Sequence, residues 1–238
     1  MKFTFIGTSH GIPEANQKCC CTMVEVSGRY YFIDMGTSAN EYMVTNGINI
    51  HDVKAVFITH MHGDHTDGLV HFADLLSWYY KTADTEIYLP DIRAGKLLEE
   101  WIEITLSHVR PLNYKEITAG LIYDDGFLKV TALPTLHCKA SYAFLLEAEG
   151  KKVIFTGDLN RPDNDFPAIA KEIETEFIVA EGAHFEATTY LPHLKACNTK
   201  AVYIHHYQPR KIPTVYQLAE DMAPIPVTLL HDDDVVEI

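Results

Sequence analysis

The sequence predicts a mixed α/β (α+β) fold, and three observations carry that expectation. Short apolar runs bounded by turn formers alternate with stretches whose apolar residues recur at helical spacing. The 238 residues are 47% hydrophobic, so one domain spanning residues 1–238 can bury a substantial core. The residues with metal-binding chemistry fall at or just after expected strand ends.

Residues 1–7 form an apolar strand that ends in a run of turn formers, Gly7 to Pro13. Residues 22–26 and 29–34 make a hairpin about Ser27 and Gly28. A short helix covers residues 38–46, and Gly47 stops it. Residues 51–59 are a buried strand. Residues 67–80 form a helix, with Leu69, Phe72, Ala73 and Leu76 at helical spacing, and His71 is a surface or packing residue of that helix. Glu86–Leu89 is a strand, and residues 92–107 a helix burying Leu97, Leu98, Trp101, Ile102 and Leu106; His108 just beyond it is structural. Strands at 129–133, 141–148 and 152–156 follow, the last two joined by a turn at Glu149 and Gly150. Then come a helix at 167–173, a strand at 177–180, a helix at 187–196 and a strand at 201–205. Two short strands, 226–230 and 235–238, close the chain around Asp232, Asp233 and Asp234, read as a solvated turn.

The formal charge is -14, from 19 Lys and Arg against 33 Asp and Glu, and no basic patch is visible in the sequence. Such a surface repels phosphate backbones. No apolar run reaches the roughly 18 residues of a membrane span, and the start lacks the features of a signal peptide. A cytoplasmic location is expected. The five cysteines, three of them consecutive at Cys19, Cys20 and Cys21, have no C-x-x-C spacing and are read as reduced thiols.

The chemistry concentrates in His60, Met61, His62, Gly63, Asp64 and His65, behind the apolar run 56–59. On extended backbone His60 and His62 point to the same side and can bind one ion together. Gly63 lets the chain turn, so Asp64 and His65 leave in another direction and can bind a second ion. The competing readings are a histidine-rich surface loop and a zincin helix; the latter needs His-Glu-x-x-His spacing, which is absent.

This H-x-H-x-D-H motif resembles the signature of the metallo-β-lactamase superfamily, and the resemblance runs along nearly the whole chain. The opening Gly-Thr-Ser-x-Gly-x-Pro, residues 7–13, is similar to that of ribonuclease Z and related phosphodiesterases. The resemblance implies a four-layer αββα sandwich of the metallo-β-lactamase type holding two divalent metal ions. Zinc is the first choice, and manganese or iron tolerate the same donors. It also implies His60, His62, Asp64, His65, His137, Asp158 and His206 as the ligands, with Asp158 bridging. His206 is preferred to His205 because Tyr207 and Pro209 follow it as the family pattern requires. Asp34, in the family's Asp-x-Gly, would support a ligand histidine through its second ring nitrogen.

Two divalent ions against Asp64, Asp158 and a bridging hydroxide leave a net positive site, which favours a small anionic substrate. Asp64 would serve as ligand and general base together. Ribonuclease Z protonates its leaving group from a His-Glu-x-x-Phe segment, and here the first position is Ala180. His184 is the candidate donor instead, with Glu181 orienting a ligand histidine; His193 is a weaker candidate. The interval between His137 and Asp158 has room for a hairpin only, not for the arm that grips tRNA in ribonuclease Z. With the negative charge, this disfavours tRNA as partner. Asp158, where true β-lactamases carry cysteine, speaks against antibiotic hydrolysis. His62, where flavodiiron proteins carry glutamate, speaks against oxygen reduction. The leading expectation is a binuclear phosphodiesterase for small or cyclic phosphodiesters. The alternatives are a carboxylic-ester, lactone or thioester hydrolase, and a metal-binding scaffold or sensor without turnover. A homodimer is compatible with the sequence, which does not dictate one.

Overall fold

Runs rich in Val, Ile, Phe and Tyr pair into two seven-stranded mixed sheets in the computed structural model, which describes residues 1–12, 14–104 and 110–238. The first half contains β1 (Lys2–Gly7), β2 (Cys21–Val26), β3 (Arg29–Ile33), α1 (Ala39–Thr45), β4 (Val53–Phe57), α2 (Gly63–Trp78), β5 (Glu86–Leu89), α3 (Arg93–Glu103) and β6 (Asn113–Glu116). The second contains β7 (Gly120–Asp124), β8 (Lys129–Pro134), β9 (Tyr142–Ala148), β10 (Lys151–Phe155), α4 (Pro162–Asp165), β11 (Glu174–Thr175) and β12 (Phe177–Gly182). It ends with α5 (Leu191–Leu194), β13 (Asn198–Thr199), β14 (Val202–Tyr207), α6 (Ile212–Met222), β15 (Val227–Leu229) and β16 (Asp234–Glu237). One sheet runs β16-β1-β2-β3-β4-β5-β6 and the other β15-β14-β12-β10-β9-β8-β7, while β11 and β13 form a small parallel pair.

Period-two alternation assigns each strand residue to one of two faces. Phe3, Phe5, Val24, Tyr31 and Phe57 of the first sheet meet Val130, Phe144, Phe155 and Phe177 of the second in one buried cluster. Phe3 and Phe177 meet edge to face, centroids 4.9 Å apart, and each buried ring contributes roughly 1.5–3 kcal/mol by transfer from water. On the outer faces, Met23, Phe32 and Val56 pack under Met43 of α1 and Leu69 and Phe72 of α2. Ile154, Ile178 and Val202 pack under Leu194 of α5 and Val215 and Leu218 of α6. The layers are therefore helix, sheet, sheet, helix, the expected αββα sandwich.

Strand direction positions the site. β3 runs parallel to β4, and β1 shares their direction because β2 is antiparallel to both β1 and β3. In the second sheet β10, β12 and β14 are parallel, and β8 runs with them because β9 opposes both. The segments that follow these strands carry His10, Asp34, His60 to His65, His137, Asp158 and His184, and β14 itself ends on His206 and Tyr207.

Several expected boundaries move. Residues 50–52 form a 3-10 turn, so β4 begins at Val53. Helix α2 begins at Gly63, so Asp64 and His65 lie in its first turn and not on a free bend. The expected helix at 167–173 is a 3-10 turn, Ala168–Lys171, and that at 187–196 splits into a 3-10 turn, Ala187–Tyr190, and α5. Leu97 and Trp101 were expected on the buried side of α3, yet they are 64% and 65% exposed. Helix α3 turns Gly95 and Ile102 inward, with Gly95 close against the Tyr114 ring. The expectations for Leu106 and His108 lie outside the described residues. β6, β7 and α6 went unrecognised. β6 and β7 have no fully buried residue to alternate, and α6 opens with Pro213, which costs nothing in a first turn but reads as a breaker.

The acidic triplet is more than a solvated turn. Asp232 accepts hydrogen bonds from the Thr8 N–H, the Thr8 hydroxyl and the Lys18 N–H at 2.9, 2.8 and 2.6 Å, pinning the loop after β1. Asp233 pairs with Lys18. All five cysteines are free thiols. Among the described residues no helix is long and apolar enough to cross a membrane.

Candidate metal centre

The apolar strand β4 ends at Phe57, and the chain then presents His60 and, on extended backbone just ahead of α2, His62, while Asp64 and His65 lie in the first turn of α2. His60 Nε2 lies 2.9 Å from His62 Nδ1, and His137 Nε2 lies 3.2 Å from the same atom. Asp158 Oδ2 is 3.6 Å from the Nε2 atoms of His60, His65 and His137. On the other side, Asp64 Oδ2 is 3.3 Å from His65 Nε2 and 3.0 Å from His206 Nε2. His206 Nδ1 is 3.5 Å from Asp158 Oδ1. All seven side chains named from the sequence are thus brought together.

The spacings decide what such a cluster can hold. Ligands about 2.0–2.1 Å from a tetrahedral cation lie roughly 3.3 Å from one another. Distances of 2.9 to 3.6 Å among His60, His62, His137 and Asp158 straddle that value, as do those among Asp64, His65, His206 and Asp158. Neutral imidazole nitrogens do not approach one another so closely unless a proton or cation lies between their lone pairs. His65 Nε2 and His206 Nδ1 are buried and have no hydrogen-bond partner among the described residues. A divalent cation with nitrogen and oxygen donors fits both groups, and Asp158 belongs to both.

Protonation follows from burial and charge. Burial holds His60 neutral, down to about 2, and also lowers His137. Burial opposes ionisation of Asp158, but the neighbouring His206 and His65 imidazoles outweigh it and hold the carboxyl well below the usual range. Asp64 is likewise depressed, since the hydrogen bond to His206 and the nearby His65 ring overcome burial. The carboxylates are therefore ready as anionic donors.

A tight frame holds these groups. Asp34 Oδ2 lies 2.8 Å from His65 Nδ1, while its Oδ1 accepts the Thr59 N–H at 2.7 Å. Asp34 has φ +56°, a left-handed conformation that Asp tolerates better than most residues. Two residues on, a Cβ at Gly36 would lie 1.7 Å from the Asp64 carbonyl oxygen, so only glycine lets α2 approach. The neighbouring Met35 N–H donates to the His65 carbonyl at 2.8 Å. This is the physical content of the Asp-x-Gly pattern.

β14 delivers His206 by a bulge. Glu181 faces His205 and Gly182 faces Tyr207, so His206 is the extra residue, with φ +45°. His205 points the other way, edge-on to Phe5 and Phe155, where burial lowers its pKa to about 3. One inserted residue sends adjacent histidines to opposite fates.

His184 stands at the rim. Its Nδ1 is 2.7 Å from Glu181 Oε2, which also accepts the His184 N–H at 3.0 Å, and 3.8 Å from Asp158 Oδ2. Burial disfavours the imidazolium, but Glu181 and Asp158 outweigh it and raise the pKa. Glu181 itself is fully buried, and its Oε1 accepts the Leu159 N–H at 2.8 Å, so it braces the turn after Asp158. Its carboxylate serves His184 at 2.7 Å, against 3.9 Å to the ring of His206, the nearest ligand histidine. His193 bonds Asp163 at 2.7 Å instead of joining the cluster, and His71 is exposed on α2. The residues missed by sequence reasoning are His10 and Gln208, which line the same cleft of about 180 Å³ with Asp64, Asp158 and His184. His10 Nε2 is 3.0 Å from Glu14 Oε1. Its one clue was a histidine inside a turn-rich loop.

Two sheets with helices outside, and a seven-residue His/Asp cluster at one edge, define a metallo-β-lactamase superfamily protein of the ribonuclease Z-like branch. Human tRNase Z, short form, superposes with a TM-score of 0.77 at 21% identity over 100% of this chain and 99% of that one. YhfI from Bacillus subtilis superposes with a TM-score of 0.76 at 17% identity, over 100% and 99%. The chain belongs to the anti-Pycsar protein Apyc1 family, whose model matches residues 1–223. It is also 33% identical to ribonuclease BN of Cronobacter sakazakii over 63% of this chain and 51% of that protein. With ribonuclease Z of Exiguobacterium sibiricum the identity is 29%, over 80% and 64%. The chain therefore spans about half to two thirds of the length of these curated relatives.

Proposed function

We propose that the protein is a binuclear metal-dependent phosphodiesterase acting on small or cyclic phosphodiesters. The observation that carries this reading is the place of Asp158, whose Oδ2 lies 3.6 Å from histidines of both ligand groups. His60, His62, His137 and Asp158 would hold one divalent cation, and Asp64, His65, His206 and Asp158 the other, with zinc the first choice. Bound there, such a pair supplies an activated water and neutralises charge on phosphoryl oxygens. Five free thiols support a reducing, cytoplasmic compartment.

The chain's own groups do the rest. Asp64 lines the cleft, so its carboxylate can orient the attacking water or accept its proton. Glu181 occupies Nδ1 of His184, which leaves Nε2 to face a leaving oxygen. Glu181 and Asp158 raise the pKa of that imidazole against its burial, which favours the protonated form that a general acid requires. The open cleft favours turnover over a sealed scaffold, and its small volume favours small substrates.

The test is hydrolysis of bis(p-nitrophenyl) phosphate, 3′,5′-cyclic nucleotides, lactones and thioesters by the full chain. Phosphodiesters should be cleaved, the activity should vanish on chelation, and zinc or manganese should restore it. Opening of lactones or thioesters with every phosphodiester untouched would replace this reading by the carboxylic-ester alternative.

A further inference from the structure

Acidic residues outnumber basic ones, 33 to 19, yet three basic side chains gather beside His184. Arg161, Arg210 and Lys211 line a groove of about 490 Å³ that also borders Glu186. Among the described residues none of the three cations makes an ion pair within 4.0 Å. Arg210 Nε donates to the neutral Gln208 Oε1 at 2.7 Å. Lys211 is only 7% exposed, and its Nζ donates to the Ala183 carbonyl at 2.6 Å. Lysine is almost never this buried without an anionic partner, because desolvating an ammonium is costly. Glu186 offsets one charge, so the groove keeps an excess of two.

His184 lines both this groove and the metal cleft, so a ligand can occupy the two at once. Paired guanidinium groups present forked donors that match phosphate oxygens. We propose that the groove binds a second phosphate group of the substrate, carried next to the scissile phosphodiester. The substrate is then a phosphodiester with an additional phosphate. This inference rests on the phosphodiesterase reading above and narrows its substrate class.

The experiment compares the metal-loaded full chain with the Arg161→Ala/Arg210→Ala variant on two dinucleotides, ApA and its 5′-phosphorylated form pApA. Both arginines are exposed, so their removal leaves the core intact. The wild type should favour pApA by about tenfold in kcat/KM, the weight of a charge-assisted hydrogen bond. The variant should lose that preference through KM. Equal rates on both dinucleotides by the wild type, or an unchanged preference in the variant, would overturn the proposal. Calorimetry with adenosine 3′,5′-bisphosphate and adenosine 5′-monophosphate reads the groove without turnover. Tighter binding of the bisphosphate by the wild type alone supports it, and no difference between the two ligands refutes it. Should no phosphodiester be cleaved, the functional reading falls while calorimetry still decides the groove. Should bis(p-nitrophenyl) phosphate be cleaved without any bisphosphate preference, only the groove proposal falls.

Discussion

Replacing Asp34 by Asn keeps the shape of the side chain and its tolerance of the left-handed backbone, yet it should loosen one cation selectively. The carboxylate accepts at both ends, from the Thr59 N–H at 2.7 Å and toward His65 Nδ1 at 2.8 Å. An amide has only one accepting oxygen. Thr59 N–H is an obligate donor, so the oxygen must face it and the NH₂ must face His65. His65 Nδ1 then has to accept, which moves the ring proton to Nε2, the nitrogen that faces Asp64 and Asp158 at 3.3 and 3.6 Å. That tautomer cannot bind a cation there. Loss of such an orienting partner costs roughly 10–100-fold in metal affinity, or about 1.4–2.7 kcal/mol. Competition titration against a chelator of known affinity should find one cation bound as in the wild type and the second weakened by that factor. Thermal unfolding of the chelated protein separates this effect from a folding defect. Two cations bound with wild-type affinity by Asp34→Asn would refute the reasoning.

His62→Ala and Asp158→Ala should both abolish hydrolysis and leave soluble protein, measured by rate assay and gel filtration; activity surviving either change counts against a two-cation site. His184→Ala should slow cyclic nucleotides, whose leaving alkoxide needs a proton, by about 10²–10⁴-fold, the weight of a general acid. It should barely affect bis(p-nitrophenyl) phosphate, whose phenolate leaves unaided, so an equal loss on both would deny His184 the role of acid. Gly36→Ala forces a methyl group to within 1.7 Å of the Asp64 carbonyl. It should cost about 3 kcal/mol, the upper range for overpacking, and lower Tm by about 6–12 °C.

How much was legible beforehand depends on whether an interaction is local. His60, His62, Asp64 and His65 lie within one turn-forming stretch, so their spacing alone announces a two-direction cluster, although the start of α2 at Gly63 was invisible without packing. Alternating strands such as Phe3 to Ile6 and helical spacing such as Leu69 to Leu76 announce faces, because a buried face imposes its period on the chain. Where burial is partial, as in β6 and β7, no period is imposed and the elements go unread. The apolar stripe of α3 was read as core because the period shows that a face exists, not that another layer covers it.

The remaining ligands belonged to a resemblance and not to local physics, since His137 and Asp158 each stand alone in sequence and His206 has only His205 beside it. What the sequence by itself determined was the donor chemistry and the strands that end in it. Only the tertiary structure decided which donors meet. Parallel strands from two sheets bring their carboxyl ends to one edge, and a bulge in β14 selects His206 over His205. Backbone from distant segments then places His10, Gln208 and the buried ammonium of Lys211 around the cleft and its adjoining groove. Those choices depend on direction and register between segments far apart in the chain, and no residue pattern within a single segment encodes them.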